Sequence, residues 1–275
     1  VATIVIKIGG GEGIDPRRAA PEIAGLVRTG ERVVLVHGGS HETNRLAWAL
    51  GQPSRTIVSP GGQQSRRTDR RTLEIFMMAY CGLVNKTLVE ALRGAGVDAV
   101  GLSGLDAGIW IGSRKGAIRS VEDGQTVIIR DDLSGKVESV DTSLLGVLLD
   151  SGRVPVLTPP AVTPEGVAIN VDADRAAAAT AAALGADELL LLSNVRGLLR
   201  DPADPASLFA EVGPETMEQA RGAATGRMKN KVLAAEEALA GGVGRVVIGE
   251  AGGEGAIARA RGGAGTVFRP QAVLA

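Results

Sequence analysis

A chain of 275 residues with 30 lysines and arginines against 31 acidic residues carries a formal net charge of −1, which gives no global reason to expect nucleic acid or a membrane surface as partner. Aromatic residues make up only 2% of it, too few for a platform of stacked bases. The single cysteine, Cys81, excludes an internal disulfide framework and a clustered thiolate metal site, and its apolar helical surroundings suit a small core residue.

No apolar run approaches the ~20 residues needed to span a bilayer. The chain opens on a strand pattern rather than on a basic stretch leading into an apolar one. The expectation is therefore a soluble, cytoplasmic protein, long enough for one large α/β domain or two lobes.

The first apolar run, 3–8, closes in Lys7-Ile8-Gly9-Gly10-Gly11, and the second, 32–36, in His37-Gly38-Gly39-Ser40. Further short β-branched runs lie at 97–102, 154–158, 189–193 and 245–248. Helical periodicity predicts helices over 16–29, 69–94, 141–152, 172–185 and 227–241, several of them ending at glycine. The stretch 109–140 differs: short strand patterns broken by Glu122-Asp123-Gly124 and Leu133-Ser134-Gly135 predict antiparallel hairpins inserted into the first lobe. Alternation elsewhere predicts a mostly parallel sheet with helices on both faces and a ligand beyond the carboxyl ends of its strands. A lobe boundary is expected near Leu184, giving lobes 1–183 and 184–275, with a loose tail over 271–275.

Five clusters carry polar chemistry. Lys7 before three glycines reads as a phosphate ligand, since glycine lets backbone N–H groups come close to an oxyanion; the plain alternative is a charged strand end. The His37-Gly38-Gly39 turn continues into Ser40-His41-Glu42-Thr43-Asn44, which supplies N-capping groups. His37 and His41 are the only histidines, and without an HExxH pattern they make a weak metal case. Ser65-Arg66-Arg67-Thr68-Asp69-Arg70-Arg71 places four arginines where a helix begins, against the macrodipole, so it is either a solvated surface or a site for an anion that one guanidinium grips bidentately. Ile169-Asn170-Val171-Asp172-Ala173-Asp174 offers a simple N-cap, or an amide and a carboxylate reaching together into a cleft. Gly226-Arg227-Met228-Lys229-Asn230-Lys231-Val232 again opens a helix with cations, and helical spacing sends Lys229 and Lys231 to different sides.

Together these clusters suggest phosphoryl transfer, which needs positive charge placed against a moving phosphoryl group. Lys7 and Lys231, from opposite halves of the chain, are the expected clamp. There is no GxxxxGK[ST] P-loop, no GxGxxG opening a helix, and no HRD or DFG set.

The order Lys-x-Gly-Gly, His-Gly-Gly, Arg-x-Thr-Asp, Gly-Leu-Ser-Gly, Asn-x-Asp-x-Asp, Leu-Ser-Asn-Val and Met-x-x-Lys-Val resembles the amino acid kinase family nearly end to end. Within it the chain resembles N-acetylglutamate kinases. Through the runs beginning at Ser65 and Gly226 it is more similar to the relatives that phosphorylate aminoadipate on the LysW carrier protein. The resemblance implies a three-layer α/β/α sandwich of the carbamate kinase-like fold, and a homodimer in which two central sheets join into one of roughly 16 strands across the helix at 69–94. It implies ATP with Mg2+ held mainly by the nucleotide phosphates, no metal ligand from the chain, and a side-chain carboxylate as acceptor, giving an acyl phosphate of lysine biosynthesis. Lys7 and Lys231 would stabilise the phosphoryl group and Asp174 orient both. Gly10, Gly38 and Gly39 would donate N–H groups to phosphates and substrate, and Arg66 and Asn170 would hold the substrate's α-carboxylate and amide. Gly9, Gly10, Ser193, Asn194, Gly197, Leu198, Arg227 and Lys229 would bind the nucleotide, with the first lobe taking the amino acid and the second the nucleotide.

Departures from the acetylglutamate kinase pattern are Asn194 for aspartate, Arg196 and Asn230 for proline, and one residue more in Gly104-Leu105-Asp106-Ala107-Gly108. Without the N-terminal helix of the arginine-inhibited hexamers, no arginine feedback is expected. The carrier is a small acidic domain, so Arg66, Arg67, Arg70 and Arg71, with Arg114, Lys115 and Arg119, are expected to rim the substrate mouth and speed encounter. The second reading is an N-acetylglutamate kinase of arginine biosynthesis. The third is a non-catalytic binding regulator on the same fold.

Overall fold

The computed structural model describes residues 1–58, 64–122 and 125–270; the tail expected to be loose and the Asp123-Gly124 turn lie outside them. Runs of Val, Ile and Leu without polar alternation suit strands covered on both faces. They form one central sheet of β1 (Thr3–Ile8), β2 (Arg32–His37), β3 (Ala99–Ser103), β4 (Val154–Thr158), β5 (Glu188–Ser193), β6 (Glu211–Val212), β7 (Arg245–Glu250) and β8 (Thr266–Phe268). Its spatial order is β6-β8-β7-β5-β1-β2-β4-β3. Six strands are parallel; β8 pairs antiparallel with β7, and β6 follows β8. The expected lobe boundary falls between the fifth helix and β5, yet β1 pairs with β5 from Ile4↔Glu188 to Ile8↔Leu192, so strands from both sides share one sheet.

Helices α1 (Ala20–Arg28), α2 (Ser40–Ala49), α3 (Arg70–Gly94), α4 (Ser143–Asp150), α5 (Ala173–Ala183), α6 (Met217–Ala223), α7 (Met228–Ala240) and α8 (Ala256–Arg261) make the outer layers. One face buries Ile4, Ile6 and Ile8 with Ile23, Leu88, Leu92 and Ile257 of α1, α3 and α8. The other buries Val5, Leu189 and Leu191 with the alanines of α5 and α7. Side chains alternate along a strand, so Lys7 shares the α5 face with Val5. The predicted sandwich is what forms.

Two expectations need correction. Helix α3 runs 25 residues and is, by length and composition, long and apolar enough to cross a membrane. Sequence reading saw no such run because Arg70, Arg71, Glu74, Lys86, Glu90 and Arg93 punctuate it. Here it lies against the sheet, with Leu73, Ile75, Phe76, Leu88 and Leu92 buried, and a π-helical turn at Met78–Val84 carries Tyr80 inward. Second, Cys81 is only half-buried; its Sγ lies 3.6 Å from the Pro159 carbonyl, and burial pushes the thiol up to about 11.

The 109–140 region holds the expected antiparallel pairings, Ile118–Glu122 with Gln125–Ile129 and Trp110–Arg114 with Gly135–Val140. Trp110–Arg114 also pairs with Ala161–Val162, and that strand with Ala168–Ile169, making a four-stranded second sheet against α5. Trp110 Nε1 donates to Thr180 Oγ1 of α5 at 2.9 Å. The pair Thr56–Val58/Gln64–Arg66 and helices α2, α6 and α8 have no counterpart among the elements that the sequence pattern predicts. The additional residue in the Gly104–Gly108 run is accommodated by a turn in which Ala107 takes a left-handed φ of 53°.

Candidate active site

The carboxyl ends of β1 and β2 meet in the two glycine turns. A Cβ on Gly10 would stand 2.0 Å from the Gly39 nitrogen, and one on Gly39 2.9 Å from the Tyr80 ring, so backbone packs on backbone and on an aromatic face. Gly9 N–H donates to Leu192 O and Gly38 N–H to Ile8 O, each at 2.8–2.9 Å. Both N–H groups are thus engaged within the chain, so a role for Gly9 or Gly38 toward nucleotide or substrate would rest on close backbone approach rather than on these donors. The N–H groups of Gly10 and Gly39 donate to no backbone carbonyl of a described residue, although their own carbonyls accept from His41 N–H and Thr43 N–H. The expected N-cap is also different: Gly39 occupies the cap position without a side-chain bond, and Ser40 Oγ donates to Gly10 O at 3.0 Å. At the start of α2 the His41 N–H donates to Gly10 O at 2.8 Å and the Gly39 backbone bonds the Tyr80 phenol, which leaves the Ser40 and Glu42 N–H groups for an anion.

His37 fixes this junction from below. Fully buried, its ring bonds the Gly38 carbonyl through Nδ1 at 3.0 Å and meets Asn85 Nδ2 at Nε2 at 3.1 Å. Burial, with the charges of Lys7 and Lys86, lowers it to about 4, so it is a neutral strut. His41 is exposed on α2.

The centre of the site is a buried charge triad. Lys7 Nζ lies 2.6 Å from Asp174 Oδ1, and Lys231 Nζ donates to Asp174 Oδ2 at 2.8 Å; all three are at least nine-tenths buried. Helix α5 brings Asp174 and α7 brings Lys231. They come this close because alanines face one another: Ala176, Ala177, Ala178 and Ala181 against Ala234, Ala235 and Ala238, with room for only a hydrogen where Gly241 meets Ala182. Asp172 is the N-cap of α5, accepting from Asp174 N and Arg175 N at 3.0 Å, and its other oxygen accepts from Asn230 Nδ2 at 2.9 Å. The polarity of Asn230 thus ties α7 to α5 beside Lys231.

Burial opposes Asp174's charge, but the two lysines overcome it and hold the carboxyl well below the usual range. Burial and repulsion from Lys7 press Lys231 down, whereas for Lys7 the attraction of Asp174 outweighs burial and raises it. Two ammoniums share one carboxylate, so the interior carries an uncompensated positive charge. It is a cradle for an anion.

Arg66 and Asn170 sit at the neighbouring mouth. Arg66 donates to Ser54 Oγ and, at 2.7 Å, to Asn44 Oδ1 of α2, and burial together with the charge of Arg227 lowers its basicity. Asn170 Nδ2 donates to Thr68 Oγ1 at 3.2 Å, and Thr68 Oγ1 donates to Arg66 O at the same distance. Buried Asp132 accepts from Thr68 N at 2.7 Å and Ser134 N at 2.8 Å, joining the loops that carry Arg66 and Asn170. Sequence reading missed Asp132 and Tyr80. Nothing local marks Asp132, but Tyr80 is the sole tyrosine of the chain. It stacks on Phe76 with ring centroids 3.8 Å apart, under Gly39 and within the charge influence of Lys7 and Arg66.

Ser193 ends β5 with its Oγ buried and without a partner among the described residues, while Asn194 beside it is exposed. Gly197 and Leu198 pack tightly against β8. A Cβ on Gly197 would meet Thr266 Oγ1 at 2.7 Å, Leu198 N donates to that oxygen at 2.8 Å, and the Leu198 side chain lies in the core. Arg227 and Lys229 are exposed while Lys231 is buried, as helical spacing required. The arginine rim shrinks: Arg67 pairs with Asp131, Arg71 with Glu74, and Arg114 with backbone carbonyls.

The amino acid kinase family model matches residues 2–250, so it spans both lysines and the carboxylate between them. The chain belongs to the amino acid kinase family. Its relatives include the [LysW]-aminoadipate kinase of Deinococcus radiodurans, 55% identical over 97% of this chain and 91% of that protein, and that of Thermus thermophilus, 52% identical over 97% and 100%. An acetylglutamate kinase of Methanopyrus kandleri is 40% identical over 89% and 93%. Among solved structures of the family fold, N-acetylglutamate synthase from Neisseria gonorrhoeae superposes with a TM-score of 0.79 at 27% identity; the match covers 99% of this chain and 60% of that one. Carbamate kinase from Giardia lamblia, at 0.68 and 16% over 98% and 99%, shares the fold.

Proposed function

We propose that this amino acid kinase transfers the γ-phosphoryl group of ATP to the side-chain carboxylate of 2-aminoadipate borne on the LysW carrier, in lysine biosynthesis. The observation that carries the reading is the Lys7–Asp174–Lys231 triad, with its excess positive charge where the carboxyl end of β1 meets the first turns of α5 and α7. Identity above one half to kinases named for that substrate directs it to the carrier-borne acid rather than to free N-acetylglutamate. All three triad members are present, which speaks against a non-catalytic regulator.

In the reaction a carboxylate oxygen attacks the γ-phosphorus and the bond to the bridging β–γ oxygen breaks, giving an acyl phosphate and ADP. Lys7 and Lys231 lie against the charge that spreads over the moving group, and Asp174 holds their ammoniums in place so that no reorganisation is needed as it develops. Gly10 and Gly39 allow close backbone approach at the open start of α2. Arg66 binds the α-carboxylate and Asn170 the amide. Ser193 Oγ, Asn194 and the cations Arg227 and Lys229 serve the nucleotide, placing the amino acid in 1–183 and the nucleotide in 184–275.

The donor set leaves Mg2+ to the nucleotide phosphates. Asp174 faces two lysines, both Asp172 oxygens are engaged, and among the described residues no three metal-ligating side chains converge. The metal would add charge neutralisation on the phosphates. Exposed Met78 and Leu83 on α3 support a homodimer through that helix, and the enzyme works in the cytoplasm as a soluble protein.

Hydroxylamine trapping of the acyl phosphate tests the reading with carrier-borne aminoadipate, carrier-borne glutamate and free N-acetylglutamate. Turnover confined to the carrier-borne acids is expected. Efficient turnover of free N-acetylglutamate alone would move the enzyme to arginine biosynthesis.

A further inference from the structure

The chain has two tryptophans with opposite fates. Trp110 is wholly buried, whereas Trp48, near the end of α2, is 78% exposed with Leu50 beside it at 43%. The indole of Trp48 belongs to none of the apolar clusters of the described residues. Tryptophan left in water at this level is uncommon on a surface that has no use for it.

Its position along α2 gives the use. The helix begins at the Gly10/Gly39 junction, where the phosphoryl group would lie. Four residues on, Asn44 Oδ1 holds Arg66. Four more bring Trp48 onto the same face. At 1.5 Å per residue these stations are about 6 Å and 12 Å from Ser40 along the axis. A free amino acid spans the first interval, from reacting carboxylate to the α-carboxylate on Arg66. Only something attached beyond that end reaches Trp48.

The charge around the indole selects the partner. Between His41 and Glu74 there are six arginines against three carboxylates. Arg55 and Arg70 are exposed and form no ion pair with a described residue. Ser54, the neighbour of Arg55, donates to Asn44 Oδ1 at 3.2 Å one turn before Trp48, so the exposed cation and the exposed indole lie along the same helix. Aromatic and arginine side chains are those of interface hot spots, and the sign fits an acidic protein.

We propose that Trp48, with Leu50, is the anchor on which a small acidic protein carrier docks while presenting its amino acid to Arg66. The inference rests on the carrier reading above and adds the surface that separates a protein-borne from a free substrate. The indole contacts the carrier body, not the reacting atoms, so it sets KM for that substrate.

The test begins with the wild type on carrier-borne aminoadipate, where absent turnover defeats the carrier reading itself. With turnover established, Trp48→Ala is expected to raise KM for the carrier-borne substrate tenfold or more, with KM for ATP and the thermal midpoint unmoved. Acrylamide quenching of Trp48 fluorescence in the wild type is expected to fall when the carrier binds, and Trp48→Phe reports the buried Trp110 alone. Unchanged carrier KM in Trp48→Ala overturns the docking surface while leaving the carrier reading standing. A halved particle mass in that variant also overturns it, since the indole would then be a subunit contact.

Discussion

Replacing Lys231 by Met separates chemistry from folding at one atom. In the native triad Asp174 faces Lys7 at 2.6 Å and Lys231 at 2.8 Å, two positive charges on one negative. Lys231→Met leaves the neutral pair Lys7–Asp174, with every remaining ion partnered, so stability should hold. The transition state, however, loses one of its two preorganised cations. Removing one such donor costs about 3–4 kcal/mol, a 10²–10³-fold fall in turnover. Asp174→Asn does the opposite to the fold, leaving two buried ammoniums without a counter-ion. Breaking a buried pair in this way costs about 3–5 kcal/mol, a large share of a typical total of roughly 5–15. Acyl phosphate trapping at saturating substrates and urea midpoints at pH 7 read the two effects. Near-normal turnover in Lys231→Met would refute the two-lysine clamp. Equal destabilisation of both variants would show the triad to be a structural network instead.

Two further outcomes follow from the same geometry. His37 titrates at about 4 in the folded protein against an ordinary 6.5, so the unfolded chain binds the proton first as pH falls. Stability from this group is therefore full above pH 6.5 and lost towards pH 4, by about 1.4 kcal/mol per pH unit and about 3 kcal/mol in all. Urea unfolding of the wild type and His37→Gln at pH 7, 5.5 and 4.5 should show the wild-type slope reduced in the variant, and parallel slopes would contradict it. Thr68→Val keeps the N–H bond to Asp132 but removes the hydroxyl that links Arg66 O to Asn170 Nδ2. At about 1 kcal/mol for each of the two hydrogen bonds lost, KM for the amino acid substrate should rise about 30-fold. Steady-state kinetics should find KM for ATP unchanged and Thr68→Ser restored; a fall in kcat alone would reject the role.

What the sequence reveals depends on whether local chemistry and fold agree. The strands β1, β2, β3, β4, β5 and β7 of the central sheet are short apolar runs, the first two closing in glycine turns, and are legible directly. Lys7 and Lys231 are legible as cations where a strand or helix end gains nothing from one. The pairing of Asp174 with both, and of Asp172 with the α5 N-terminus, is not: two carboxylates two residues apart are equivalent until the helix start fixes which one points back along its own axis. Gly38 and Leu198 follow a family pattern, and in the fold their N–H groups are taken up within the chain. Only the register of Gly38 on Ile8 and of Leu198 on Thr266 discloses it. Asp132 was invisible because its partners, Thr68 and Ser134, belong to loops joined only in three dimensions.

The alanines of α5 and α7 join that architecture to the chemistry. A helix pair with larger side chains would stand farther apart, toward the upper end of the 8–10 Å range of interaxial distances, and Asp174 could not bridge from α5 to Lys231 while also meeting Lys7 of β1. Close approach brings a cost, because it buries two ammoniums with one carboxylate. The depressed basicity of Lys231 is the sign of that cost. A phosphoryl group bound there would supply the missing negative charge, so the repulsion between the two ammoniums would turn to attraction as charge builds on the moving group. The same packing that completes the core on the α5 face thus sets the electrostatic bias of the reaction.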